Sequence, residues 1–370
     1  MLGSGAIEGT DLMSIRFGGC ACCGDASGAR PVMNRRSFVA GTIAGAFAAP
    51  LSAAAQIAAP AGPSRSHRID VHHHYIPPFH ADYIAGRRDR GRPPAWSIAM
   101  SLEEMDKNGI ATAITSLAQP GVWFGDVAEG RRIARECNEW GARMVRDHPG
   151  RFGLFAALPL PDTEGSLREI EYALDVLKAD GIGLFTSYRD KYLGDMAFAP
   201  VFDELNRRKA AVYVHPIAPD CCKSLVPGVP PSTIEYATDT TRTIAGLLFS
   251  GTTLRCPDVR FIFSHSGGTV PFLTARFERL NDERKEGRLP NGPVPELRKL
   301  YYEVAQGNTQ GQLAALMKLA SVSHVLFGTD FPFRPGAEAV TGIAEFKFDP
   351  ADLRAIERDN ALALLPRLRG

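Results

Sequence analysis

The sequence predicts an α/β fold closed into a (β/α)8 TIM barrel, and three observations lead there. From Arg68 onward, short β-branched or aliphatic runs alternate with longer amphipathic stretches, the pattern of βα units around a parallel sheet. Eight such runs follow in order: Arg68–His74, Ala111–Ser116, Phe152–Leu158, Gly181–Phe185, Ala211–His215, Arg260–Ser264, Leu300–Ala305 and His324–Phe327. Histidine or aspartate recurs at their ends, and a barrel gathers its reactive groups at the C-terminal ends of its strands. A doubly wound open sheet would share the local pattern; the run of eight units favours closure.

Residues 1–66 precede the first run and read as an extension, leaving 67–370 as one barrel domain. Asn34-Arg35-Arg36-Ser37-Phe38-Val39 sets paired arginines before an uncharged, Ala- and Gly-rich run that reaches Pro60. That run is only mildly apolar and is broken by Pro50, whereas a spanning helix needs about 20 strongly apolar residues. Ala53-Ala54-Ala55 offers a small-residue cleavage site. The segment from 33 to 55 resembles a twin-arginine export signal, a receptor-read address that leaves no anchor, so the mature protein is expected to be periplasmic or secreted. An Ala-rich tail with chance arginines is the alternative. Met33 offers a later start that would omit 1–32 and the Cys20, Cys22, Cys23 cluster. Cys137, Cys221, Cys222 and Cys256 fit no disulfide framework and read as free or buried thiols.

Within the barrel region, Asp70-Val71-His72-His73-His74 ends the first strand. Simple alternation points Asp70, His72 and His74 one way and Val71 and His73 the other, so two imidazoles converge. Ile76–Ala95 reads as a loop carrying Arg87, Arg88, Arg90 and Arg92, either a solvated basic segment or a recognition element for an anionic substrate. Helices are expected over Val127–Asp147 and Glu164–Lys178, the second with Leu167, Ile170, Leu174 and Leu177 on one face. Val212-Tyr213-Val214-His215-Pro216 ends another strand in histidine, with proline stopping it. The Pro-rich stretch Pro216–Thr233 then reads as a loop at the active-site mouth. Phe261-Ile262-Phe263-Ser264-His265-Ser266-Gly267-Gly268 repeats the strand-end histidine. Glu303, in Tyr301-Tyr302-Glu303-Val304, either orients a ligand from behind or faces outward. Phe327-Gly328-Thr329-Asp330 sets a carboxylate at the end of the last strand.

Charge narrows the class of partner. Basic residues number 42 and acidic 41, mixed along the chain for a net +1, so no footprint for nucleic acid or an anionic membrane exists. A small-molecule partner is expected.

The ordered set Asp70-x-His72-x-His74, His215-Pro216, His265-Ser-Gly-Gly and Gly328-Thr-Asp330 resembles the amidohydrolase-related superfamily of metal-dependent barrels. It is most similar to the branch of aminocarboxymuconate semialdehyde decarboxylase and related aromatic-acid decarboxylases. The likeness spans nearly all of 67–370, including Met105-Asp106-x-x-Gly109-Ile110 and Asn360-Ala361-x-x-Leu364-Leu365. Thr238-Asp239-Thr240-Thr241-Arg242-Thr243 looks most like 6-methylsalicylate decarboxylases. Carried over by position, the resemblance implies that His72, His74, His215 and Asp330 bind metal, with His265 and Asp330 catalytic. Imidazoles and a carboxylate suit Zn2+ first and Mn2+ second. Many binuclear members use a carbamylated lysine at the end of the fourth strand, where Gly183-Leu184-Phe185-Thr186-Ser187 offers none, so one divalent metal is expected.

The implied reaction is non-oxidative decarboxylation of a small aromatic or unsaturated carboxylic acid. Hydrolysis of a lactone or amide is the alternative, and an inactive exported binding protein the second. Relatives commonly form homodimers or homotetramers. Some hydroxybenzoate decarboxylases carry glutamate where His72 stands, so their substrates do not transfer directly.

Overall fold

The computed structural model describes residues 67–87, 93–223 and 225–369, all within one compact unit, Ala61–Gly370. The expected extension and export signal, residues 1–66, lie outside the described residues. Eight parallel strands pair in chain order: β1 (Arg68–Tyr75), β2 (Ile110–Leu117), β3 (Phe152–Ala157), β4 (Gly181–Phe185), β5 (Ala211–His215), β6 (Arg260–Phe263), β7 (Tyr301–Glu303) and β8 (Val325–Leu326). Hydrogen bonds from Val71 N to Phe327 O, 3.0 Å, and from His74 N to Phe331 O, 2.7 Å, bring the last strand back to the first. The expected (β/α)8 barrel is therefore what the chain forms.

Two apolar layers hold it. Ile69, Val71, Ile114, Phe155, Tyr213, Ile262 and Leu326 fill the interior, and Ala361 and Leu364 of helix Asn360–Leu364, with Leu365 just after it, plug its base. A larger layer lies between strands and helices, where Ile133, Ala134 and Cys137 of helix Val127–Asp147 pack. That helix spans its expected range because Asp126 caps it, accepting the Glu129 N–H at 2.8 Å. Such a cap is worth about 1 kcal/mol. The next expected helix runs Thr163–Glu171 and widens into a π-turn over Tyr172–Val176, burying Ile170 and Ala173 while Leu174 is half-buried.

Two loop expectations need correction. Ile76–Ala95 contains a helix, Pro78–Ala85, started by Pro78 at its first position, where a missing N–H costs nothing. Pro216–Thr233 contains a 3-10 turn, Asp220–Cys222, and gives its last residues to helix Pro231–Phe249. β7 stops short of Ala305 because the Glu303 carboxylate takes the Ala305 N–H at 2.7 Å. Cys137, Cys221, Cys222 and Cys256 are free thiols. Among the described residues no helix is long and apolar enough to cross a membrane.

Candidate metal centre

A bulge in β1 sets the first two imidazoles. Asp70 stands opposite Ala113 and His73 opposite Thr115, so Val71 and His72 together face the single residue Ile114. One extra residue reverses the parity of the strand. Asp70 therefore turns with His73 rather than with His72 and His74, correcting simple alternation. Its Oδ2 lies 3.1 Å from His73 Nδ1, and it accepts the Thr329 hydroxyl at 2.6 Å and the Thr329 N–H at 3.0 Å. His73 in turn reaches Ser101 Oγ at 2.8 Å. This network pins β1 to the segment after β8, while His72 and His74 turn inward until their Nε2 atoms are 3.1 Å apart.

The remaining groups come from other strand ends. His215 closes β5, and its Nδ1 donates to Pro216 O at 2.7 Å. His265 follows β6 in a left-handed turn, with φ of 55° there and 57° at Ser266. Gly267 and Gly268 continue at φ of 73° and 65°, and a Cβ at Gly268 would strike Ala237 O. Backbone strain of this kind gathers at functional sites. His265 N donates to Glu303 Oε1 at 2.7 Å and its Nδ1 to Ala305 O at 2.9 Å. Asp330, at φ 66°, is held by its N–H on His72 O at 2.7 Å.

In this way each histidine spends Nδ1 on the protein and turns Nε2 to a common point. His72 Nδ1 meets Glu303 Oε1 at 2.8 Å, and His74 Nδ1 lies 3.3 Å from Ser116 Oγ. Ring centroids of His72, His74 and His215 stand 4.9 to 5.1 Å apart. One ligand atom from each of these and from Asp330 lies within 4.8 Å of all the others. Asp330 Oδ1 is 3.1 Å from His72 Nε2 and 3.2 Å from His74 Nε2, yet it is buried without a partner in hydrogen-bond geometry. Its other oxygen is taken by Gln306 Nε2. Two imidazole nitrogens and a carboxylate oxygen 3.1 to 3.2 Å from one another, facing one point, fit a divalent cation, and the donor types are those of a zinc or manganese site. The Nε2 of His265 is likewise buried with no partner, beside this cluster.

Electrostatics follow from the enclosure. Burial holds His74 and, further, His215 below the ordinary histidine range. Burial opposes charge on His72 too, but the Glu303 and Asp330 carboxylates outweigh it and lift that imidazole to about 10. Burial would raise Asp330, and the neighbouring His72 charge holds it well below the usual carboxylate range instead. Glu303 is fully buried, which decides between its two sequence readings: it orients His72 from behind.

A cavity of about 800 Å³ opens over the cluster, reaching His215 and Asp330 and walled by Gln119, Tyr236, Phe333 and Arg334 among others. The Pro-rich loop supplies Lys223 and Pro230 to that wall, as its position after β5 led one to expect. A smaller space of about 360 Å³, bounded by Trp123, Phe185 and Arg189, adjoins it past Gln119 and Lys223. Arg87 is committed to the fold, bonded to the Tyr83 hydroxyl at 2.5 Å and stacked over Phe124 at 4.8 Å; Arg88, Arg90 and Arg92 lie outside the described residues. Sequence reasoning missed Gln119 and Gln306. Both stand just past a strand end, the place that would have marked them.

The amidohydrolase family pattern matches residues 69–367. The chain belongs to the amidohydrolase family. Among amidohydrolase relatives it is 36% identical over 318 residues to the 6-methylsalicylic acid decarboxylase of Penicillium expansum, covering 82% of this chain and 97% of that one. It is 38% identical over 326 residues to the decarboxylase yanB of Aspergillus niger, covering 82% and 88%. A dihydroxybenzoic acid decarboxylase from Polaromonas, solved with bound manganese and 2-nitroresorcinol, shares the fold with a TM-score of 0.72 at 23% identity, covering 82% and 98%. Within the amidohydrolase family the chain thus stands with the aromatic-acid decarboxylases, the branch its ordered histidines resemble.

Proposed function

We propose that the protein is a metal-dependent carboxy-lyase that removes carbon dioxide, without redox change, from a small aromatic acid of the 6-methylsalicylate type. The observation that carries this reading is the pair of buried, unpartnered atoms, Asp330 Oδ1 and His265 Nε2, facing one centre beneath a cavity wide enough for a substituted benzoate. The relatives that share the whole barrel support the substrate class.

The reaction replaces a C–C bond by a C–H bond: one proton goes to the ring carbon, the bonding pair returns to the ring, and carbon dioxide leaves. His72, His74, His215 and Asp330 would hold one divalent cation, zinc before manganese on donor chemistry. Bound there, the cation orients the substrate's oxygens and offsets negative charge as it develops. His265 holds its ring by Nδ1 on Ala305 O, so Nε2 is free to deliver or receive a proton. Gln306 fixes the outer oxygen of Asp330 and leaves the inner one for the centre. Tyr236 and Phe333 flank the cluster with their rings 6.0 Å from His215 and 5.3 Å from His74, apolar walls for an aromatic ring. The resemblance also implies a homodimer or homotetramer, which light scattering measures.

The deciding experiment loads purified protein with Zn2+ or with Mn2+ and offers it 2-hydroxybenzoates bearing different 6-substituents, beside a panel of lactones. Carbon dioxide release from the 6-alkyl compounds supports the reading. Acid release from lactones with no carbon dioxide from any benzoate overturns it in favour of hydrolysis.

A further inference from the structure

We propose that Asp239 is a positioning residue that sets His215 through the single peptide group between Pro216 and Ile217. The carbonyl of that group accepts the Nδ1–H of His215 at 2.7 Å and Nε2 of Gln119 at 2.7 Å. Its N–H, on the opposite side of a planar trans unit, is shared between Thr186 Oγ1 at 3.2 Å and Asp239 Oδ2 at 3.3 Å. Asp239 comes from helix Pro231–Phe249 and is fully buried. It also accepts the Thr186 hydroxyl and, at 2.7 Å, the Tyr192 hydroxyl, so it grips the exit of β4, the short ribbon Ser187–Tyr188 with Lys191–Tyr192, and the loop after β5.

Arg242 stands 4.0 Å away, beyond hydrogen-bond range, while the Thr186 and Tyr192 hydroxyls and the Ile217 N–H donate to this carboxylate directly. An anion at the N–H end of an amide polarises it and strengthens its oxygen as an acceptor. That oxygen holds His215 as the Nδ1–H tautomer and turns Nε2 to the metal centre. The relay rests on the reading of His215 as a metal ligand.

The test uses the full chain with Zn2+ alone, without substrate. Zinc affinity is read by competition with a chelating dye, and the His215 Nδ1–H by 15N-histidine NMR. We expect Asp239→Ala to weaken zinc by about 10–100-fold, the range for residues that orient a metal-bound histidine, and to shift or erase the Nδ1–H signal. Asp239→Asn should recover affinity to within about threefold, because its carbonyl can face Ile217 N–H while its amide faces the Tyr192 oxygen. Tyr192→Phe, which leaves the peptide contact intact, should stay near wild type. Should the alanine variant not fold, Asp239→Ser takes its place. Wild-type zinc affinity and an unchanged His215 signal in the truncated variant overturn the proposal. Equal zinc loss in Tyr192→Phe also overturns it, since the network would then act only as packing. Because no turnover is read, failure of decarboxylation leaves this outcome unaffected, and a His215→Ala control that still binds zinc normally identifies failure of the ligand reading instead.

Discussion

Glu303 Oε1 meets His72 Nδ1 at 2.8 Å inside the barrel, with both side chains fully enclosed. The same oxygen accepts the backbone N–H of His265, so one carboxylate fixes two of the inward imidazoles. Glu303→Ala leaves these two donors and the Ala305 N–H without their carboxylate partner. We expect metal affinity to fall by about 10–100-fold. Stability should fall by about 3–5 kcal/mol, as when one member of a buried pair is removed. Chelator competition and denaturant melts measure the two effects; unchanged metal affinity would remove Glu303 from any orienting role.

Gly328 faces this pair from β8's exit. A Cβ there would collide with Glu303 Oε2 and come within 2.9 Å of His72 Cβ, in a backbone conformation open to any residue. Space, not chain flexibility, is what requires glycine. Gly328→Ala should push the carboxylate off His72, and a misplacement near 1 Å is worth about 10²-fold in rate. Turnover at saturating metal is the readout, and activity close to wild type would show that the pocket relaxes around the methyl group.

His265 and His215 divide the work differently. His265 Nε2 has no partner and lies beside the cluster, whereas His215 contributes to the four-residue set. His265→Asn should keep the metal and lose turnover by about 10²–10⁴-fold, the range for a general acid or base. His215→Ala should lose metal and turnover together. Metal analysis of both variants checks the division, and equal metal loss in the two refutes it.

The strand-end residues were legible because each strand is an apolar run stopped by a polar residue: His215 before Pro216 and Asp330 after Gly328 announce themselves. The direction of Asp70 was not. The bulge opposite Ile114 exists only through pairing with β2, and nothing local in Asp70-Val71-His72 encodes the extra residue. Gln119 and Gln306 are neutral amides with no characteristic spacing, and Asp239 is one polar residue among the threonines of a helix. Their roles arise from contacts 97, 24 and 22 residues away along the chain, to Pro216, Asp330 and Ile217. Helix Pro78–Ala85 was hidden by the two prolines at its start, Pro77 before it and Pro78 at its first position, which mark a loop and a helix start alike.

The expected export signal has its own test, outside the described residues. Replacing Arg35 and Arg36 together by lysine should retain the full-length chain in the cytoplasm of a bacterial host, since a twin-arginine address is read by its receptor and not by charge alone. Fractionation and the size of the mature product decide it; undiminished export of the double variant would point to another route.

Metal removal gives the most direct physical check on the centre. The ligands come from three separate stretches of the chain, His72 with His74, then His215, then Asp330, and only the folded barrel brings their ligand atoms within 4.8 Å of one another. An ion held by all four therefore binds the native state and scarcely binds the unfolded chain. Such linkage stabilises by about 2.7 kcal/mol when free metal is 100 times its dissociation constant. At about 2–4 °C per kcal/mol for a large domain, the thermal midpoint should drop by roughly 5–10 °C when metal is stripped with a chelator. Re-addition of Zn2+ or Mn2+ should restore it, and the better-held ion should give the larger shift at equal concentration. His215→Ala should show no such response. A wild-type midpoint indifferent to chelation and to both ions would mean that the inward nitrogens hold no metal, and the decarboxylase chemistry would lose its centre.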